Sequence, residues 1–156
     1  MQNSGKNPAI NLGEEIKEGN ALLQLLKEEQ AVLINADVEA LARLAEEKNK
    51  VVVRMTELAQ RRHRSLTAAG IEASEAGMKT WLKTAPPTAV QAWNALLELA
   101  KEVKELNRVN GLLIGKHMAR AQTALNVLQG NPQGGNMYGP NGQSTGQAAS
   151  RKLVVG

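Results

Sequence analysis

Cysteine and phenylalanine are absent from this 156-residue chain, and its aromatics amount to two Trp and one Tyr. Without Cys there is no disulfide, no thiolate metal site and no cysteine nucleophile, which fits a reducing compartment. The scarcity of aromatic and β-branched residues argues against an all-β or doubly wound α/β fold, because sheets draw on those side chains. Long apolar runs are also missing. None approaches the roughly 18–20 residues that cross a bilayer. The start, Met1-Gln2-Asn3-Ser4-Gly5-Lys6, leads into no apolar leader segment. The expectation is a cytoplasmic protein with no membrane insertion.

Acids are unevenly distributed. The formal net charge of +4 suggests nucleic acid until it is divided along the chain. Residues 1–50 carry 6 Lys/Arg against 9 Asp/Glu, residues 51–129 carry 11 against 6, and residues 130–156 carry 2 against 0. The basic excess is mild and spread out. Arg61-Arg62-His63-Arg64 is the densest run, but it has no interleaved aromatic platform and Glu57 lies nearby. It reads as a solvated helix end rather than a phosphate grip. No nucleic-acid partner is expected.

What the chain has in abundance is Ala (22) and Leu (20), the strongest helix formers, so the fold is expected to be all-α. Leu12, Ile16, Gly19, Leu23, Leu26, Gln30 and Leu33 alternate at spacings of four and three, an a/d seam over three heptads. Glu14, Glu15, Lys17, Glu18, Lys27, Glu28 and Glu29 are read as the wet face opposite. The pattern breaks at Asn35-Ala36-Asp37. A tight turn capped by Asp37 is favoured there, although one continuous helix with a local irregularity would satisfy the same periodicity. A second stripe includes Leu41, Leu44, Lys48, Val52, Met55, Leu58, Arg62 and Leu66, and closes near Gly70. Ser74 is placed as the cap of a short helix that Pro86-Pro87 ends. Thr88 is placed as the cap of a last helix whose seam includes Val90, Trp93, Leu97, Ile114, His117, Met118, Ala121, Leu125 and Leu128.

The expected organisation is a flexible N-terminus (1–10), one helical bundle (11–129) and a Gly/Pro/Asn-rich flexible tail (130–156). The helices are expected at about 11–35, 37–69, 74–84 and 88–129. A 40-residue helix needs partners along its length, so the architecture is an elongated antiparallel helical hairpin or three-helix bundle with a long C-terminal helix. The tail holds 7 of the 14 Gly and two of the five Pro, too little apolar surface to offset ordering.

Reactive side chains are sparse. Asp37 is the only Asp, the residues three before His63 and His117 are Gln60 and Ile114, and no Gly-Lys-Ser/Thr occurs. A hydrolytic triad, a di-iron Glu-x-x-His pair and a phosphate loop are therefore not supported. The chain is read as no enzyme, with no catalytic residue, cofactor or metal. Asn107 and Asn110 fall on the last apolar stripe as a polar seam that fixes helix register. Gly111 and Gly115 follow at a spacing that would let another helix approach. Met55 and Met118 are read as core, and Trp81 and Trp93 as clamps on the proline connector.

The order of these features resembles the FlgN family. The residues that carry the resemblance are Glu28-Glu29-Gln30-Ala31-Val32-Leu33, the stretch from Leu41 through Lys48 to Met55, Leu106-Asn107-Arg108-Val109-Asn110-Gly111-Leu112-Leu113-Ile114, and Met137-Tyr138-Gly139-Pro140-Asn141-Gly142. The resemblance implies a cytosolic flagellar type III export chaperone. Such a protein binds hook-filament junction proteins (FlgK- and FlgL-like clients), keeps them from premature assembly and delivers them to the export gate. A weak homodimer is compatible with it. It further implies that Ile114, Met118, Ala121, Leu125 and Leu128 face the client helix, and that Tyr138 docks on the cytoplasmic domain of the export gate protein FlhA. The other reading is a structural or adaptor coiled-coil protein acting through self-assembly.

Overall fold

In a computed structural model of the chain, residues 4–130 are described. Among them the fold is an all-α bundle without strands. A 3-10 turn over Ser4–Lys6 precedes α1 (Leu12–Asn35), α2 (Val38–Ala68), α3 (Glu75–Leu82) and α4 (Pro87–Leu128). Two compact units are distinguished, one through Leu113 and one from Ile114, and α4 supplies residues to both.

Local chemistry sets the helix boundaries in the first unit. Ala36 adopts the left-handed conformation (φ 56°). Its N–H donates to the Leu33 carbonyl at 3.2 Å, and the Asp37 N–H to the Val32 carbonyl at 3.2 Å. That pair of bonds is a Schellman closure. The Asp37 carboxylate then accepts from the Ala40 N–H at 3.2 Å, capping α2. The break at Asn35 is thus a turn, and α1 and α2 form an antiparallel hairpin.

The same closure ends α2 around Gly70 (φ 77°), with the Ile71 N–H donating to the Leu66 carbonyl at 2.9 Å. Ser74 caps α3 by accepting from the Gly77 N–H at 3.0 Å. α4 starts at Pro87, one residue before the Thr88 expected as its cap. Proline at a first helical position sacrifices no hydrogen bond, since that N–H would have no partner. The Pro86 carbonyl instead accepts from the N–H groups of Ala89 and Val90.

Leu12, Leu66, Met78 and Trp93 make the central cluster, with Ala9, Ile71, Trp81 and Leu82 packed against it. The two tryptophans do hold the connector to the bundle, through Met78 of α3. Residues 4–10, expected as a flexible N-terminus, are structured. Their 3-10 turn packs on α2, Pro8 is fully buried, and Ala9 covers the cluster.

The face of α1 is shifted from the heptad reading. Leu12, Gly19, Leu26 and Leu33 are buried as expected, as is Leu22, which widens the apolar face beyond the strict seam, but they are joined by Glu15, Glu18 and Glu29. Ile16, Leu23 and Gln30 are only half-buried. Three glutamates expected on the wet face therefore lie inside. Each is there because a cation of α2 meets it.

Candidate functional site

The ion pairs between α1 and α2 frame the first unit. Arg62 is bidentate on Glu15, with Nε to Oε2 at 2.9 Å and Nη2 to Oε1 at 3.2 Å. Arg54 Nη2 donates to Glu18 Oε2 at 2.6 Å, and Lys48 Nζ to Glu29 Oε2 at 2.9 Å. As the α1 partner advances from 15 to 29 the α2 partner retreats from 62 to 48, which fixes the antiparallel register.

Arg62 also lies over the ring of Trp93, 5.0 Å from its centroid. Among the four residues of the basic run, this side chain is consumed by the interior, while Arg61 and Arg64 remain exposed. A phosphate grip would need guanidinium groups that act together. The solvated helix end expected here is thus half inside.

At the other end of the frame Asn110 of α4 is buried. Its Nδ2 donates to the Leu26 carbonyl at 2.8 Å and to Glu29 Oε1 at 2.9 Å, while its Oδ1 has no partner. Glu29 thereby joins α1, α2 and α4 in one polar node. Asn107 is exposed and lines a groove instead, so the two asparagines expected as a seam do different work.

That groove lies between α2 and α4, with α1 as its floor. Two hollows of about 290 and 420 Å³ share Leu22, Val52, Met55, Leu96 and Ala100, so they form one channel. It runs on α2 from Lys48 to Arg62 and on α4 from Trp93 to Asn107. At 1.5 Å per residue that is about 21 Å. Gly19 brings the floor close to α4: a Cβ there would sit 2.6 Å from Leu99 Cδ2. Met55, expected as core, is half-buried in this wall, and Val52 beside it is exposed.

In the second unit the described residues are the end of α4 and residues 129–130. Ile114, Met118, Ala121, Leu125 and Leu128 keep the four-three spacing of one helix face, and all five are exposed. Met118 is 68% exposed, Leu125 48% and Leu128 83%. Met118 is thus not core among the described residues, and His117 beside it is half-buried. Gly111 in the first unit and Gly115 in the second each have nothing within 4 Å of where a Cβ would stand. Among the described residues no helix approaches either glycine.

Electrostatics change along α4. Glu105 is the last acid of the sequence. The hydrogen bond from Arg108 Nη2 at 2.7 Å, and then the charge of Arg108, hold its carboxyl below the usual carboxylate range. Beyond that pair the helix carries Lys116 and Arg120 and no carboxylate.

Among the described residues no group of three or more His, Asp or Glu converges to hold a metal ion. No helix there is long and apolar enough to cross a membrane. Tyr138 lies outside the described residues.

The buried glutamates and the groove were missed by the sequence reading. For the glutamates a signal existed: Lys48 and Arg62 sit on the apolar stripe of α2, and a cation on such a stripe implies an acid across the interface. The groove has no counterpart in the sequence, because it depends on the spacing between α2 and α4.

Comparison with known proteins is consistent along the chain. The family described as FlgN protein matches residues 4–146. A flagella synthesis protein FlgN of Proteus mirabilis is 28% identical over 144 residues, covering 91% of this chain and 89% of its own length. One of Yersinia enterocolitica is 27% identical over 148 residues, covering 93% and 95%. A crystal structure of a protein assigned as flagella synthesis protein FlgN, from Pseudomonas aeruginosa, superposes with a TM-score of 0.61 at 24% identity. It covers 75% of this chain and 91% of that one, a likeness of fold.

Proposed function

The chain belongs to the FlgN family of flagella synthesis proteins, and on that premise we propose that it is a cytosolic, non-enzymatic export chaperone. In this reading it binds hook-filament junction proteins, shields their terminal amphipathic helices and presents them to the export gate. One observation carries the reading: the apolar face Ile114, Met118, Ala121, Leu125 and Leu128 is exposed. A contiguous apolar surface kept in water marks an interaction site, and its i, i+3, i+4, i+7 spacing is what a client helix needs for side-by-side packing. Met118 adds adaptability, since its unbranched thioether accommodates differently shaped partners.

The test is direct binding. Purified chain and a purified junction protein, followed by calorimetry and light scattering, should give a 1:1 complex. Met118→Glu with Leu125→Glu should weaken it by about tenfold or more, because a carboxylate would be buried without a partner. Both positions are exposed, so circular dichroism of the variant should be unchanged. Undiminished binding by a folded variant removes the client role from this face. A stable oligomer indifferent to the junction protein would favour the adaptor reading.

A further inference from the structure

Carboxylates stop early in α4. From Leu106 to Gly156 the sequence has five cations, Arg108, Lys116, Arg120, Arg151 and Lys152, and no Asp or Glu. In the first unit Lys48 meets Glu29, Arg54 meets Glu18, Arg62 meets Glu15 and Arg108 meets Glu105. Lys116 and Arg120 are exposed, and among the described residues neither belongs to an ion pair. No carboxylate stands three or four residues from either, so their own helix cannot supply one.

The two cations are placed unevenly about the apolar stripe. At about 100° per residue, Arg120 and Lys116 lie about 100° and 140° to one side of Ala121, the centre of the stripe. Gln122 and Asn126 take the same angles on the other side. They bond each other, Gln122 Nε2 donating to Asn126 Oδ1 at 3.1 Å. One edge of the stripe is therefore cationic, and the other is a neutral pair of amides.

We propose that this face selects a partner helix whose own apolar stripe is bordered on one edge by carboxylates spaced to meet Lys116 and Arg120. The inference rests on the chaperone reading and gives the chemistry of the client segment that the face prefers. Lys and Arg carry their charge on long apolar stems, so both heads can meet carboxylates at the border of a packed helix pair. Such rim charges act on partner choice and association rate more than on total affinity. Because only one edge is charged, the pairing also sets direction: a partner turned end for end would bring its carboxylates to the amide edge.

An anionic lipid surface is the other chemistry that suits cations beside an apolar face. The distribution disfavours it. A helix lying in a bilayer interface spreads Lys and Arg over its polar face and sets Trp or Phe into the apolar one. Here Lys116 and Arg120 share one edge, and the stripe has no aromatic.

The test uses the full chain and two labelled synthetic helices that share one Leu stripe, with Glu along one edge in the first and Lys at the same positions in the second. Fluorescence anisotropy should show the Glu-edged peptide binding about tenfold more tightly, since two exposed pairs exchange repulsion for attraction. The ratio should narrow as salt is raised. Lys116→Glu with Arg120→Glu should invert the preference, with circular dichroism verifying that the variant is folded. Equal binding, no measurable binding of either peptide, or a preference unchanged in the variant overturns the proposal. Vesicles of phosphatidylglycerol and phosphatidylcholine should not retain the chain, and retention that the same variant loses would overturn the choice of partner in favour of lipid.

A purified junction protein separates this selection from the reading beneath it. If Met118→Glu with Leu125→Glu weakens its binding while Lys116→Glu with Arg120→Glu changes nothing at low salt, the client role stands and the charge selection falls. A peptide preference that inverts as expected, with no binding of the junction protein, leaves the selection standing and removes that client.

Discussion

Arg62 of α2 lies over the ring of Trp93 of α4, with the guanidinium 5.0 Å from the ring centroid while its nitrogens are held by Glu15 of α1. One cation thus joins three helices. Arginine suits the position because its planar group can stack on a ring and fork onto a carboxylate at the same time. The pair with Glu15 is largely desolvated, at 11% and 7% side-chain exposure.

Arg62→Ala should therefore destabilise the fold by about 3 kcal/mol or more, because it leaves the Glu15 carboxylate buried without a partner. Arg62→Lys keeps the charge but loses the fork and the stacking, and should cost an intermediate amount. Urea denaturation of the two variants measures both. A loss below 1 kcal/mol for Arg62→Ala would show that the contact is not a structural clamp.

Asn110→Asp tests the polar node. The introduced carboxyl would replace an amide that donates to the Leu26 carbonyl and to Glu29 Oε1 with a group that cannot donate when ionised. At neutral pH the expected loss is about 3 kcal/mol. Burial and the Glu29 charge raise the folded-state pKa of the new group above its unfolded value. The penalty relative to wild type is therefore present above that folded pKa and shrinks as pH falls through it. Thermal melts at pH 7 and pH 5 should show the variant closer to wild type at the lower pH.

Backbone strain gives a substitution of opposite sign. Ala36 occupies the left-handed region, where a Cβ costs roughly 1–2 kcal/mol. Ala36→Gly should stabilise by about 0.5–1 kcal/mol after the entropy of glycine is counted. Gly77→Ala should do the reverse, since its Cβ would run into the Glu72 carbonyl oxygen, a backbone atom that cannot rotate away. Melting temperatures should rise for the first and fall for the second.

Tyr138→Ala addresses export. Under the proposed function the substitution leaves client binding intact and reduces secretion of junction proteins. Equal secretion by mutant and wild-type cells would exclude a docking role for Tyr138.

Individual residues show how far the sequence could be read. Asp37 and Ser74 were legible as caps, because a cap is a local bond between a side chain and an N–H three residues on. Pro87 at the start of α4 was displaced by one residue from the expected boundary, since Thr88 is an equally plausible cap when only propensity is weighed. Hydropathy places Glu15, Glu18 and Glu29 in solvent because it ranks a lone carboxylate without its partner. Periodicity places Met118 in the core for the mirror reason: it says which residues share a face, not what covers it.

By itself the sequence determined what acts over a few residues or one helical repeat: helix formation from Ala and Leu, the breaks at Asn35 and Pro86-Pro87, and the apolar faces of the helices. The motif order along the chain likewise carried the resemblance to its family. Tertiary structure alone decided which charges are interior, which of Asn107 and Asn110 is buried, and where α2 and α4 leave a groove. These depend on distances between helices far apart in sequence, and the free energy of a charge or an apolar side chain is set by the neighbour it meets there.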